Sequence, residues 1–131
     1  MNGRVAIISS NGSLFDAYKV FNIATAAASL DMEVAIFFTF EGLNLIHKEA
    51  NKNLPFPEGK EHFREGFTES NVPSIPEMVD MSRELGVKLI GCQMTMDVMG
   101  LEMEDFVDGV ESGGAVTFLE FAKYADVTLT F

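Results

Sequence analysis

One cysteine, nine basic residues and no long apolar run set the first limits on this 131-residue chain. With Cys92 alone, no disulfide can close within the chain, so any sulfur chemistry needs a thiol from another molecule or another subunit. Twenty acidic residues against nine basic ones give a formal charge of −11. That charge repels a phosphate backbone, and no basic stripe reverses it, which argues against nucleic acid as a partner. No unbroken apolar stretch reaches the roughly 18 residues that span a bilayer, so no membrane contact is expected. The opening "MNGRVAIISSNGS" lacks the apolar region and cleavage site of a signal peptide, and a soluble, cytoplasmic chain is expected. Neither a G-x-G-x-x-G nor a P-loop lysine is present, so a nucleotide or flavin site is only weakly indicated. His47 and His62 lie 15 positions apart and share no ligand spacing with Cys92. Neither a metal site nor a cofactor is called for.

What the chain does have is apolar sequence, 47% of its residues. At this length, residues 1–131 are expected to form one compact domain around a single core. Apolar, β-branched runs at 4–8, 33–40, 87–91 and 126–131 read as strands. Between the first two, Leu14, Tyr18, Phe21, Thr25 and Ala28 recur at spacings of three and four. They predict a helix with Ser13 as its cap and Asp16 three places on. In "SIPEMVDMSREL" Ser74 can cap, Pro76 suits the first turn, and Met78, Met81 and Leu85 form the expected inward stripe, with Gly86 ending the helix. In "GGAVTFLEFAKYA" the expected buried side is Phe118, Phe121, Ala122 and Ala125. Strands alternating with helices predict a parallel sheet covered on both faces.

Residues 48–73 break this rhythm, mixing charges, three prolines and isolated phenylalanines without a period. An insertion of that length reads as a loop or lid. Phe56, Phe63 and Phe67 are expected to dock against the sheet edge or a neighbouring subunit.

Cys92 falls where the third strand gives way to "QMTMDVM". In open α/β sheets, reacting groups gather beyond the carboxyl ends of strands. The free amides at the start of a helix there would favour thiolate over thiol. No base or cation is adjacent in sequence: Lys88 lies at the far end of the same strand, and a charge on Asp97 would oppose a thiolate. A buried, inert cysteine fits the position as well. Gln93 follows the sulfur directly, and Met94 and Met96 could line an apolar pocket beside it. Met96, Met99 and Met103 recur at helical spacing and read as core rather than as a soft-metal site.

Other candidate positions lie in the same region of the fold. Ser10, Asn11, Gly12 and Ser13 follow the first strand and could hold an anion at the helix start, although ordinary cap chemistry accounts for them too. Glu41 follows the second strand. Asp108 to Glu111 suggests a short fourth strand, with Gly113 and Gly114 serving its turn or framing the cysteine pocket.

The run "GVKLIGCQMTMDVMG", the "DGVE" box, the glycine pair and the earlier "FFTFEGL" together resemble the DsrE/DsrF-like sulfur-relay family, in the subgroup labelled DsrE2-like or peroxiredoxin-like. The likeness spans most of the chain and is specific over residues 86–117. Relatives often carry a longer Met-, Gly- and Lys-rich middle segment, where this chain has the acidic "NLPFPEGKEHFREGF". The resemblance implies a three-layer α/β/α fold with a five-stranded parallel sheet, assembled as a homo-oligomer. It also implies that Cys92 matches the cysteine thought to carry sulfur as a persulfide. The expected function is a sulfur carrier or sulfurtransferase subunit, whose partners are donor and acceptor proteins or small thiols. The alternative is a non-catalytic binding or assembly module holding a nucleotide, a flavin or a coenzyme-A-like ligand in that pocket.

Overall fold

The computed structural model describes residues 2–131. Five strands, β1 (Arg4–Ser9), β2 (Glu33–Phe38), β3 (Lys88–Cys92), β4 (Val110–Gly113) and β5 (Val127–Thr130), form one sheet in the order β4-β3-β2-β1-β5. Every pairing is parallel. The helices are α1 (Leu14–Ser29), α2 (Arg64–Glu69), α3 (Ile75–Glu84), α4 (Gln93–Met99) and α5 (Ala115–Ala122). Parallel strands need crossover connections, and these helices supply them on both faces of the sheet. The sheet is parallel and covered on both faces, as the alternating pattern predicts, and the fold is the five-stranded three-layer α/β/α arrangement that the family resemblance implies. Among the described residues, no helix is long and apolar enough to cross a membrane.

Strand alternation divides the core in two. Val5, Ile7, Val34, Ile36, Phe38 and Leu89 point toward α1 and α3 and build the larger cluster with Phe21 and Val79. Ala6, Ala35, Phe37, Ile90 and Cys92 point the other way, toward Phe118 of α5. The α5 side is thinly covered, since Phe118 is the one buried residue of that helix. Its ring stacks on Phe37 with centroids 5.5 Å apart, and Phe121, Ala122 and Ala125 pack partly buried beside them.

Both serine caps form. The Ser13 hydroxyl accepts from the Asp16 amide at 3.1 Å. Ser74 and Glu77 make a complete capping box, with the Ser74 amide donating to the Glu77 carboxylate at 2.9 Å. The inward stripes need correction. On α3 the buried residues are Ile75, Met78, Val79 and Ser82, while Met81 and Leu85 are exposed. Ser82 can turn inward because its hydroxyl donates to the Met78 carbonyl at 2.9 Å, which removes the cost of burying it. On α1 the deepest positions are Ala17, Val20, Phe21 and Ala24, with Leu14, Tyr18 and Thr25 at the margin. Met99 and Met103 are exposed, because α4 ends at Gly100 in the left-handed region and the chain turns away.

β2 stops at Phe38, two residues short of the expected end, because Phe40 takes a positive φ of 49°. β4 starts at Val110, and Gly113 lies in the strand rather than in the turn.

Residues 48–73 hold two short 3-10 turns, at Ala50–Lys52 and Glu61–Phe63, followed by α2. Their aromatic rings dock on α1, not on the sheet edge. Phe56, Phe63 and Phe67 all surround Phe15 with centroids 5.7–5.9 Å apart, and Phe67 stacks on Tyr18 at 5.1 Å. Each such pair adds about 0.5–1.5 kcal/mol beyond its area burial.

Candidate functional site

Cys92 is the last residue of β3 and the N-cap of α4. Its neighbours are fixed by sheet register. Phe38 pairs with Gly91, which brings Thr39 beside Cys92 on the β2 side, and Gly113 pairs with Cys92 on the β4 side. A side chain at Gly113 would meet Ile90 Cγ2 and Thr117 Oγ1 at 3.0 Å, so the glycine lets α5 close down next to the cysteine.

Cys92 is 6% exposed and belongs to the α5-side cluster. Burial pushes the thiol up. The hydroxyl and amide of Thr95, the hydroxyl of Thr39 and the amide of Met94 pull it down and together prevail, so Cys92 lies below the ordinary thiol value. A thiolate is a stronger acceptor than a neutral thiol for the amides and hydroxyls around the N-cap position. These donors therefore favour the anion specifically, as charge-assisted bonds do. The Thr39 and Thr95 hydroxyls lie 3.2 Å apart, and the Phe40 amide donates to Thr95 Oγ1 at 3.3 Å. Neither threonine stood out in the sequence reading. The available signals were Thr39 directly beyond β2 and Thr95 three residues past the N-cap, where an amide and a hydroxyl both face the capping atom.

The remaining candidates are spread along the carboxyl edge of the sheet. Gln93 and Asp97 are exposed and bonded to each other, Nε2 to Oδ1 at 2.9 Å, which ties the Asp97 charge to the outer face of α4. Met94 and Met96 do not share a pocket wall. Met94 is 58% exposed, while Met96 is buried in the α1-side cluster. Gly114 is the exposed N-cap of α5, its amide donating to Thr117 Oγ1 at 3.2 Å.

The loop after β1 lies two strands away from Cys92, about 9–10 Å across the sheet. Its polar groups are already engaged or solvated. The Ser10 hydroxyl donates to the Phe131 carbonyl at 3.0 Å, Ser13 caps α1 and Asn11 is exposed. Gly12 is buried against the Glu41 backbone, where a Cβ would meet the carbonyl oxygen at 2.9 Å. Glu41 itself is exposed. The closest approach at this edge is Gly42 on Ser9: a Cβ there would fall 1.9 Å from the Ser9 carbonyl oxygen. That oxygen also accepts from the Thr39 amide at 2.9 Å, so Gly42 and Ser9 together fix the backbone that presents Thr39.

His47 Nδ1 accepts from the amides of Glu49 and Ala50, each at 3.1 Å, and His62 is exposed. Among the described residues, no group of three or more His, Cys, Asp or Glu could hold a metal ion.

Known proteins resemble this chain over nearly its whole length. It is 35% identical to the sulfur carrier protein DsrE2 of Allochromatium vinosum, covering 96% of both chains. It is 29% identical to the uncharacterized protein YrkE of Bacillus subtilis, over 96% of this chain and 95% of that one. Among solved structures, the YchN protein from E. coli superposes with a TM-score of 0.67 at 19% identity, covering 98% of this chain and 99% of that one. A protein of unknown function from Methanobacterium thermoautotrophicum, MTH1491, gives 0.66 at 14% identity with the same coverage. Those two likenesses concern the fold. The sequence pattern of the DsrE/DsrF/DrsH-like family matches residues 1–67 and 58–130, and with the identity to DsrE2 this establishes that the chain belongs to that family.

Proposed function

We propose that this chain is a cytoplasmic sulfur carrier that holds sulfane sulfur as a persulfide on Cys92. The observation that carries the reading is the position of the lone cysteine as N-cap of α4, among donors that favour its anion. The likeness to a sulfur carrier protein supports it.

In the loading step the Cys92 thiolate attacks the outer sulfur of a donor persulfide. A new S–S bond forms at Cys92, the donor's S–S bond breaks, and the donor leaves as a thiolate. Unloading is the same exchange run toward an acceptor thiolate, which leaves Cys92 as the departing thiolate. The sulfane sulfur moves without net oxidation or reduction. Donors that lower the Cys92 pKa assist at both ends, since they raise the thiolate fraction and make Cys92 the better leaving group.

Cys92 is nearly buried in the α5-side cluster, so donor and acceptor reach its sulfur as the cover over that cluster loosens. The exposed apolar residues of α4 and α5, among them Val98 at 74% and Val116 at 70%, support assembly with partners or with further copies of the chain. The net charge of −11 favours a partner with a basic docking patch.

Incubation with a polysulfide donor followed by intact-mass measurement tests the reading. The expected result is a gain of one sulfur on the wild type, reversed by excess small thiol, and none on Cys92→Ser. Equal gain on both forms, or none on either, overturns it.

A further inference from the structure

We propose that a second site, separate from Cys92, binds a small organic anion in the cleft between the starts of α1 and α3, roofed by residues 51–64. The cleft encloses about 170 Å3, and its lining is more polar than apolar. That is below the usual size of pockets for drug-sized ligands and suits a compound of one small ring or short chain.

Charge selects the class of ligand. In a chain with 20 acidic and 9 basic residues, two of the basic ones, Lys52 and Arg64, line this one cleft. Arg64 lays its guanidinium over the Phe56 ring, 4.7 Å from the centroid. Among the described residues it has neither an ion-pair partner nor a side-chain hydrogen bond. Stacking leaves the guanidinium edge, with its forked N–H groups, free to meet a carboxylate or phosphate. Lys52 makes only an exposed contact with Glu49 at 3.5 Å, which a ligand can displace at little cost.

The rest of the cleft accommodates an organic body. Asn51 is 3% exposed, and its carboxamide donates to the Leu45 carbonyl at 3.3 Å, which fixes a buried polar group in the wall. Phe56, Leu54 and Ile75 supply apolar surface. The Ser74 amide at the α3 start is already taken by Glu77, whose carboxylate is exposed, so the anion's partners are the two cations.

The cleft and the cysteine lie on opposite sides of the sheet. Leu54 and Ile75 belong to the α1-side cluster and Cys92 to the α5-side cluster. Binding here thus stands or falls independently of persulfide chemistry.

Ligand-observed saturation-transfer NMR on the full chain tests the site, with benzoate and phenyl phosphate as anionic probes and benzamide as the neutral counterpart. At least one anion is expected to bind saturably, with benzamide weaker by about tenfold or more. Arg64→Gln should weaken the anion by a similar factor while lowering the melting temperature by only a few degrees, through loss of the stack on Phe56. Cys92→Ser should bind as the wild type does. Failure of both anions to bind saturably, equal binding of benzamide, or indifference to Arg64→Gln would each overturn the proposal.

Discussion

The hydroxyl oxygens of Thr39 and Thr95 stand 3.2 Å apart, although the residues are 56 positions apart in sequence. One lies just beyond β2 and the other in the first turn of α4. Both hydroxyls lower the Cys92 pKa. The thiolate is thus favoured by hydroxyls from two elements as well as by the amides of Thr95 and Met94.

Thr95→Val and Thr39→Val should each slow alkylation of Cys92 at neutral pH, with Thr95→Val the larger effect because Thr95 offers the stronger hydroxyl interaction. A hydrogen bond to a charged acceptor is worth about 1.5 kcal/mol, so a roughly tenfold fall in rate is expected for Thr95→Val. Iodoacetamide kinetics against pH would check this, and the Thr95→Val profile should be displaced to higher pH. An unmoved profile would mean that the backbone amides alone set the thiolate.

The same interactions make stability depend on pH. The Cys92 pKa is lowered in the folded chain, so the unfolded chain binds more protons between the native value and the ordinary thiol value. Wild-type stability relative to Cys92→Ser should rise with pH through that window and level off above it. The gain disappears as pH falls through the native value. Urea titrations under a non-thiol reductant across this range measure it, and a difference that shrinks with rising pH would contradict the assignment.

Glycine substitutions should separate a close approach from an open position. Gly42→Ala puts a methyl group 1.9 Å from the Ser9 carbonyl oxygen and should cost more than about 3 kcal/mol, or prevent folding. Gly66→Ala places its methyl group in open space within α2 and should stabilise by about 0.5–1 kcal/mol. Denaturant midpoints of the two variants should move in opposite directions.

Phe118→Ala removes the main anchor of α5 on the thin side of the sheet. A loss of about 3 kcal/mol is expected, together with faster alkylation of Cys92 as the cover over its cluster loosens. Stability loss without any change in alkylation would show that the sulfur is reached from another direction.

Much of the architecture was legible because its signals are local. Apolar runs marked the strands, Ser13 and Ser74 marked helix starts, and Cys92 fell at a strand end. The misreadings share a physical origin in contacts that sequence spacing does not carry. Met81 and Leu85 matched a helical stripe as well as the true one, and the choice was made by Ser82, a polar residue whose local hydrogen bond lets it face the core. The phenylalanines of residues 48–73 have no period because they converge on Phe15, a residue outside the segment. The threonine pair is likewise made by register between strands. Such a meeting point cannot be read from either residue alone.

The pairing of Val5 with Val127 joins positions 122 residues apart and places β5 beside β1 at the border of the sheet. A chain emerging from the ribosome can assemble β1 to β4 while the outer margin of β1 still lacks its neighbour. Until residues 127–130 have been made, that margin offers unpaired amides and carbonyls to any other extended polypeptide. Pairing of β5 therefore moves the open margin from the six-residue β1 to a strand of four residues, which shortens the template for wrong association. Slow translation through the codons for residues 127–130 should lengthen the time for which β1 stands open.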